Sequence, residues 1–153
     1  MRPRPRISGL LKLRFSKLYD DAIVPTQAHP GDAGSDLYAR EAATLAPGRR
    51  VRVGTGIAVA IPDGHAGLVL PRSGLAHRHG IALVNAPGLI DAGYRGELQV
   101  LMLNTDPEDT FELRPGERIA QLVLVPFNAP EWTEVTSFET TARGAGGFGS
   151  SGL

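Results

Sequence analysis

The sequence contains no cysteine, so disulfide frameworks, thiolate nucleophiles and cysteine-ligated zinc are all excluded, although the compartment is not fixed by that absence. It also lacks net charge: Lys+Arg and Asp+Glu both number 16. The whole-molecule field that draws in DNA, RNA or an anionic membrane is therefore missing, and any anion site must be local. Neither a nucleic-acid nor a membrane partner is expected. Apolar runs extend only a few residues, far short of a membrane span, and the basic start MRPRPR leads into no signal-like apolar region. A soluble, cytoplasmic protein is the expectation. Windows for ordinary helices are scarce as well, because 19 Gly and 12 Pro, about a fifth of the 153 residues, are scattered through the chain.

What is present reads as β structure around one core, at a length that buries roughly 70% of the unfolded surface. Residues 11–15 (LKLRF) alternate apolar and polar, and residues 56–61, 68–70, 98–103 and 119–125 are apolar, β-rich runs. Turn signals at Pro47-Gly48, Pro62-Asp63-Gly64, Pro87-Gly88 and Pro115-Gly116 separate them. Short strands at this spacing indicate a sandwich, jelly roll or barrel. Residues 1–9, rich in Arg and Pro, read as a flexible N-terminal arm, residues 10–142 as the β domain, and residues 143–153 as a Gly/Ser tail too poor in apolar side chains to fold by itself.

Several residues carry candidate chemistry. Gly144, Gly146 and Gly149 match the spacing of a dinucleotide fingerprint, but no helix can open from them four residues before the last one, and no Lys follows to make a P-loop. Two readings stay open for the tail. It wraps an anion with glycine N–H groups, the Ser150 and Ser151 hydroxyls, Arg143 and the flat face of Phe148, or it is a plain Gly/Ser extension. Arg72-Ser73-Gly74, after an apolar strand, could aim a guanidinium, a hydroxyl and a bare N–H at phosphate, or form a surface turn. Asp36 and Asp91 each suit an Asx turn. Asp91 differs in standing between Ile90 and Gly93-Tyr94, where a carboxylate could be partly desolvated and hold a water as general base. His77 and His79 would share one side of an extended strand, without a visible third metal ligand. The charges from Arg114 to Arg118, and Glu108-Asp109, read as solvated turns, and Trp132 as a core or interface packing residue.

In order, DAGSDL at 32–37, PRSGLA at 71–76, GLIDAGYRGE at 88–97, GERIAQLVLVP at 116–126 and RGAGGFGSSG at 143–152 resemble the five motifs of the trimeric dUTP pyrophosphatase family. The resemblance implies an all-β jelly roll forming a homotrimer, with sites at subunit interfaces and the tail closing over a site built mainly by its neighbours. It implies hydrolysis of dUTP to dUMP and pyrophosphate, limiting uracil in DNA and supplying dUMP for thymidylate synthesis. Asp91 would activate the attacking water, and Asp36 would hold a water in the shell of Mg2+. Arg72, Ser73 and Gly74 would grip the phosphates, Gln121 the α-phosphate, and Arg143, Gly149, Ser150 and Ser151 the γ end. Asn85 and the Ile90 segment would bind uracil, Tyr94 would exclude a 2′-hydroxyl, and Phe148 would stack on the base. Ser151 stands where family members often have Thr, and residues between Glu131 and Thr141 match no motif beyond an expected strand into the tail. A dCTP deaminase of the same fold would need a glutamate where this chain has Leu101. A non-catalytic nucleotide-binding trimer would be expected to have lost one of Asp91, Arg72, Gln121 or Arg143.

Overall fold

A computed structural model of the chain describes residues 11–147. Among the described residues, ten strands and one short helix follow in the order β1 (Arg14–Lys17), β2 (Ser35–Tyr38), β3 (Ala43–Leu45), β4 (Arg50–Ala60), β5 (His65–Leu70), α1 (Ser73–His79), β6 (Ile81–Leu83), β7 (Gly88–Ile90), β8 (Glu97–Asn104), β9 (Phe111–Leu113) and β10 (Arg118–Pro126). All strand pairs are antiparallel. One sheet has the order β1-β4-β8-β6, a second β2-β10-β5-β7, and β3 pairs with β9 alone. The expected jelly-roll architecture is the one observed.

Sequence alternation explains the longest strands. In β8 the side chains of Leu98, Val100, Met102 and Asn104 point inward and are buried, while those between face out. Inward residues of both sheets, among them Val53, Ile57 and Val59 of β4 and Leu37, Val69 and Leu122 of the other sheet, join one apolar cluster. The turn signals hold as well: Gly48, Gly64 and Gly116 all take positive φ, which glycine adopts without a Cβ penalty. Each long apolar run lies within a strand except that Ile61 falls just past β4, and the alternating run 11–15 does not coincide with its strand. β1 begins at Arg14 and its four residues are all exposed, because it pairs with β4 as an edge strand and Phe15 faces away from the core.

Three other expectations are corrected. The segment His77-Arg78-His79 ends α1 instead of running extended, so two residues apart the imidazoles diverge by roughly 200° around the helix axis. His79 packs its ring against Phe111, with centroids 5.1 Å apart. The strand expected before the tail is absent: residues 127–147 contain no strand, only turns closed by Gly144 N–H to the Thr141 carbonyl and Gly146 N–H to the Arg143 carbonyl. Trp132, 91% exposed, is not a core residue. Among the described residues no helix is long and apolar enough to cross a membrane.

The end of β8 depends on one buried polar side chain. Asn104 is fully buried, and its Nδ2 donates to the Leu45 and Asp109 carbonyls, each at 2.8 Å, while its Oδ1 accepts from the Asp106 N–H at 2.9 Å. Asp106 in turn accepts the N–H groups of Glu108 and Asp109. The backbone N–H of Asp109, then that of Glu108, hold the exposed Asp106 carboxyl below the usual carboxylate range. Asn104→Ala should leave the buried Leu45 carbonyl and the part-buried Asp109 carbonyl without their donor and lower stability by about 3 kcal/mol, measured by urea unfolding at fixed protein concentration. A change within experimental error would show that water replaces the amide fully.

Candidate functional site

The second sheet and the turn leaving it bring five sequence-predicted residues together at one end. Register sets Gln121 of β10 between Asp36 of β2 and Leu70 of β5. Two residues past Leu70, Arg72 is the N-cap of α1 and has an extended backbone. These elements enclose an open pocket of about 540 Å³ whose lining includes Asp36, Arg72, Ser73, Gly74, Arg118 and Gln121.

The charge pattern of this pocket is local, as a neutral chain requires. Asp36 is buried, and each of its carboxylate oxygens meets a different guanidinium: Arg72 Nε donates to Oδ1 at 3.0 Å and Arg118 Nη1 to Oδ2 at 3.2 Å. Arg72 also reaches the Arg118 carbonyl at 3.4 Å. One carboxylate thus orients two cations, leaving the pair with a net positive charge and unused donors. Asp36 therefore lies within a strand and an ion-pair network instead of an Asx turn. The Gln121 amide donates to the Pro71 carbonyl at 3.0 Å, which ties β10 to the turn entering α1. α1 has no side-chain N-cap, so the first-turn N–H groups at Ser73 and Gly74 are without helical partners at the pocket wall.

The sequence places Arg118 in a solvated turn, whereas its carboxylate partner lies 82 residues earlier. The sequence signal was the doublet Ile119-Ala120, both buried, which marks a bulge before Gln121 and so re-aims the neighbouring side chains.

The other predicted residues form a second group. Asn85, exposed in the turn before β7, has its amide close to Gly88. Ile90 is half-buried, and Asp91 opens a turn closed by the Tyr94 N–H to the Asp91 carbonyl at 3.0 Å. Arg95 clamps that turn by donating to the Ala92 and Tyr94 carbonyls at 2.6 and 2.8 Å. Tyr94 is 43% exposed, and its hydroxyl donates to the Glu97 carbonyl at 2.9 Å. Asp91 is exposed within the chain, so the partial desolvation expected from Ile90 and the Gly-Tyr pair is not supplied by those neighbours.

The two groups do not meet. Ile90 pairs with Gly67 in antiparallel register, so Asp91 lies beyond the Gly67 level while Leu70 and Arg72 lie the other way along the sheet. The intervening length is on the order of 15 Å. Arg143 is exposed and donates from Nε to the Gly146 carbonyl at 3.0 Å, away from both groups' hydrogen bonds. Phe148, Gly149, Ser150 and Ser151 lie outside the described residues, as do residues 1–10.

The donor set bears on the expected metal. Among the described residues no cluster of three or more His, Cys, Asp or Glu could cage an ion. Asp36 nevertheless retains lone pairs beyond those taken by its two guanidiniums, enough to accept a hydrogen bond from a metal-bound water. That fits magnesium, which keeps several waters and leans on substrate phosphates instead of all-protein cages.

The chain matches the family model dUTPase over residues 20–152. It is 52% identical over 146 residues to the deoxyuridine 5'-triphosphate nucleotidohydrolase of Thermobifida fusca, spanning 95% of this chain and 82% of that protein. It is 53% identical to the enzyme of the same name from Nocardia farcinica, spanning 95% and 88%. Among solved structures, the Staphylococcus bacteriophage 80alpha dUTPase with dUpNHpp superposes with a TM-score of 0.86 at 34% identity, over 93% of this chain and 99% of that one. A mutant dUTPase from phage phi11 of S. aureus, described with a coordinated structural Mg(II) ion, gives a TM-score of 0.78 at 29% identity, over 85% and 100%.

Gly34 supplies a test of the pocket. A Cβ there would lie 2.5 Å from Gln121 Oε1, so Gly34→Ala should displace the amide without demanding an unusual backbone. Affinity for inorganic triphosphate should fall about tenfold by calorimetric titration, the scale of one hydrogen bond to a charged group, while the melting temperature holds. Unchanged affinity would remove Gln121 from the set of phosphate ligands.

Proposed function

The chain belongs to the dUTPase family and hydrolyses dUTP to dUMP and pyrophosphate, and we propose that it does so by magnesium-assisted attack of water on the α-phosphorus, at sites shared between subunits of a homotrimer. The observation that carries this reading is the opposed position of Arg72 and Asp91 on the β5–β7 pair. Within one chain the phosphate-gripping group and the water-activating carboxylate are too far apart to serve one α-phosphate. A second copy must supply the other half, and a closed cyclic assembly lets every chain give and receive the same parts.

In the assembled site Arg72, Arg118, Gln121 and the N–H groups at Ser73 and Gly74 bind the triphosphate of one subunit's pocket. Asp36 orients both guanidiniums and would accept a hydrogen bond from a water of the magnesium shell. Magnesium, when bound, neutralises phosphate charge and clamps the triphosphate in one arrangement. Asp91 of a neighbour holds the attacking water and takes its proton, and burial by the partner subunit supplies the desolvation that its own chain does not. Uracil is read by Asn85 and by the backbone around Ile90, whose donors and acceptors would be left unpaired by the amino group of cytosine. Tyr94 closes the space a 2′-hydroxyl would need. The tail, with Arg143, Phe148, Gly149, Ser150 and Ser151, covers the base and the γ end and excludes water.

Asp91→Asn should lower kcat for dUTP by about 100-fold or more with little change in dUTP binding, as loss of a positioned base does. Arg72→Ala should be nearly inactive for a different reason. Co-refolding the two variants in equal amounts should restore pyrophosphate release at about a quarter of the sites, those that take Arg72 from one chain and Asp91 from another. Heterotrimers verified by mass that show no recovery would mean that both residues of each site come from the same chain.

A further inference from the structure

We infer that Glu97 is a positioning residue for sugar selection and for the orientation of Asp91, acting by pinning the 91–96 turn to a bulge in β4. The inference rests on the reading of Tyr94 and Asp91 given above and deepens it. Along the β4–β8 pair, Gly54 faces Gln99 and Ala58 faces Glu97, so four steps along β4 match two along β8. The two extra residues form a bulge in which Gly56 takes φ +70°.

Most of the bulge backbone is satisfied locally. The Gly54 and Gly56 carbonyls accept from Arg40 at 3.0 Å and Leu18 at 2.8 Å. Thr55 Oγ1 donates to the Leu98 carbonyl at 2.7 Å and accepts from Ile57 N–H at 3.2 Å. The Gly56 N–H donates to Glu97 Oε1 at 2.7 Å, and the other carboxylate oxygen accepts from Gln99 Nε2 at 3.0 Å. Glu97 therefore has a fixed side chain, and its own carbonyl is the acceptor for the Tyr94 hydroxyl. The Tyr94 ring lies so close over Gly96 that a Cβ there would collide with it. Tyr94 N–H in turn closes the turn on the Asp91 carbonyl. A continuous chain of contacts thus runs from the β4 bulge through Glu97 to the tyrosine and the aspartate.

If Glu97 merely completed the hydrogen bonding of the bulge, its loss would lower stability and leave selectivity alone. Glu97→Ala should instead raise the kcat/KM of UTP relative to dUTP by about tenfold or more and lower kcat for dUTP more than it changes KM, as misplacement of reacting groups does. Gly54→Ala tests the same link with Glu97 intact, because a Cβ at Gly54 would lie 2.6 Å from Glu97 Oε1 and drive the carboxylate off the Gly56 N–H. Glu97→Gln keeps an acceptor of the same reach and should retain wild-type discrimination. Tyr94→Phe, which removes only the hydroxyl bound to Glu97, should shift the ratio in the same direction as Glu97→Ala.

Tyr94→Ala is measured alongside. If it shifts the UTP/dUTP ratio while folded Glu97→Ala or Gly54→Ala does not, the role of Glu97 is overturned and that of Tyr94 stands. If Tyr94→Ala leaves the ratio unchanged, the reading of Tyr94 fails and the role of Glu97 with it.

Discussion

The register of β5 against β7 governs what a single chain can do. Gly67 faces Ile90 across the pair, and a Cβ at Gly67 would meet Ile61 Cδ1 at 2.8 Å, Leu122 Cδ1 at 3.1 Å and Ile90 Cβ at 3.2 Å, so the pair packs closely at this level. Since side chains alternate with period two, a slip by one residue would turn Ile90 and its neighbours to the wrong face. The register is held, and with it the separation of Asp91 from Arg72. One chain thus carries a charged pocket at one sheet end and an exposed, clamped turn at the other, the two halves of the proposed site.

The charged half shows how a neutral protein concentrates positive charge locally. Asp36 is buried deeply enough that its two guanidinium contacts count for more than exposed pairs would. Its role is better described as orientation than as stabilisation, because a partly buried carboxylate loses hydration that its partners only partly return. Two arginines held in fixed directions lose less freedom when phosphate arrives, and that preorganisation favours binding. Phosphoryl transfer asks for little else from protein groups than positioning and charge neutralisation around the transferring centre.

How much of this was legible in the sequence depended on the distance over which each residue is satisfied. The long strands were legible because Leu98, Val100 and Met102 repeat with period two and Ile119, Ala120 and Leu122 are apolar on either side of Gln121, so local pattern and burial agree. Asp36 was legible as part of a motif but misread as a turn residue. Its neighbours Gly34 and Ser35 have turn chemistry, whereas its environment comes from Gln121, Arg72 and Arg118, all distant in sequence. Arg118 was missed for the same reason. The helix after Arg72 was hidden because Gly74 and the His-Arg-His run have modest helix propensity, and α1 is short enough that its contacts decide its form. Sequence motifs named the candidate residues; the register shows that one chain holds Arg72 and Asp91 apart.

The same logic extends to the segment after β10. Residues 127–147 leave Phe127, Trp132, Val135 and Phe138 exposed, with Trp132 and Phe138 almost wholly so. Burying such side chains is worth on the order of 2 kcal/mol each, a gain this chain forgoes on its own surface. In the proposed trimer these apolar side chains would anchor the segment on a neighbour, and Arg143 follows Phe138 by only five residues. Docking would then deliver Arg143 and the glycine-rich tail to a site whose other parts come from different chains. Assembly and completion of the phosphate clamp become one event, which confines water exclusion around the triphosphate to the oligomer that also holds Asp91 against it.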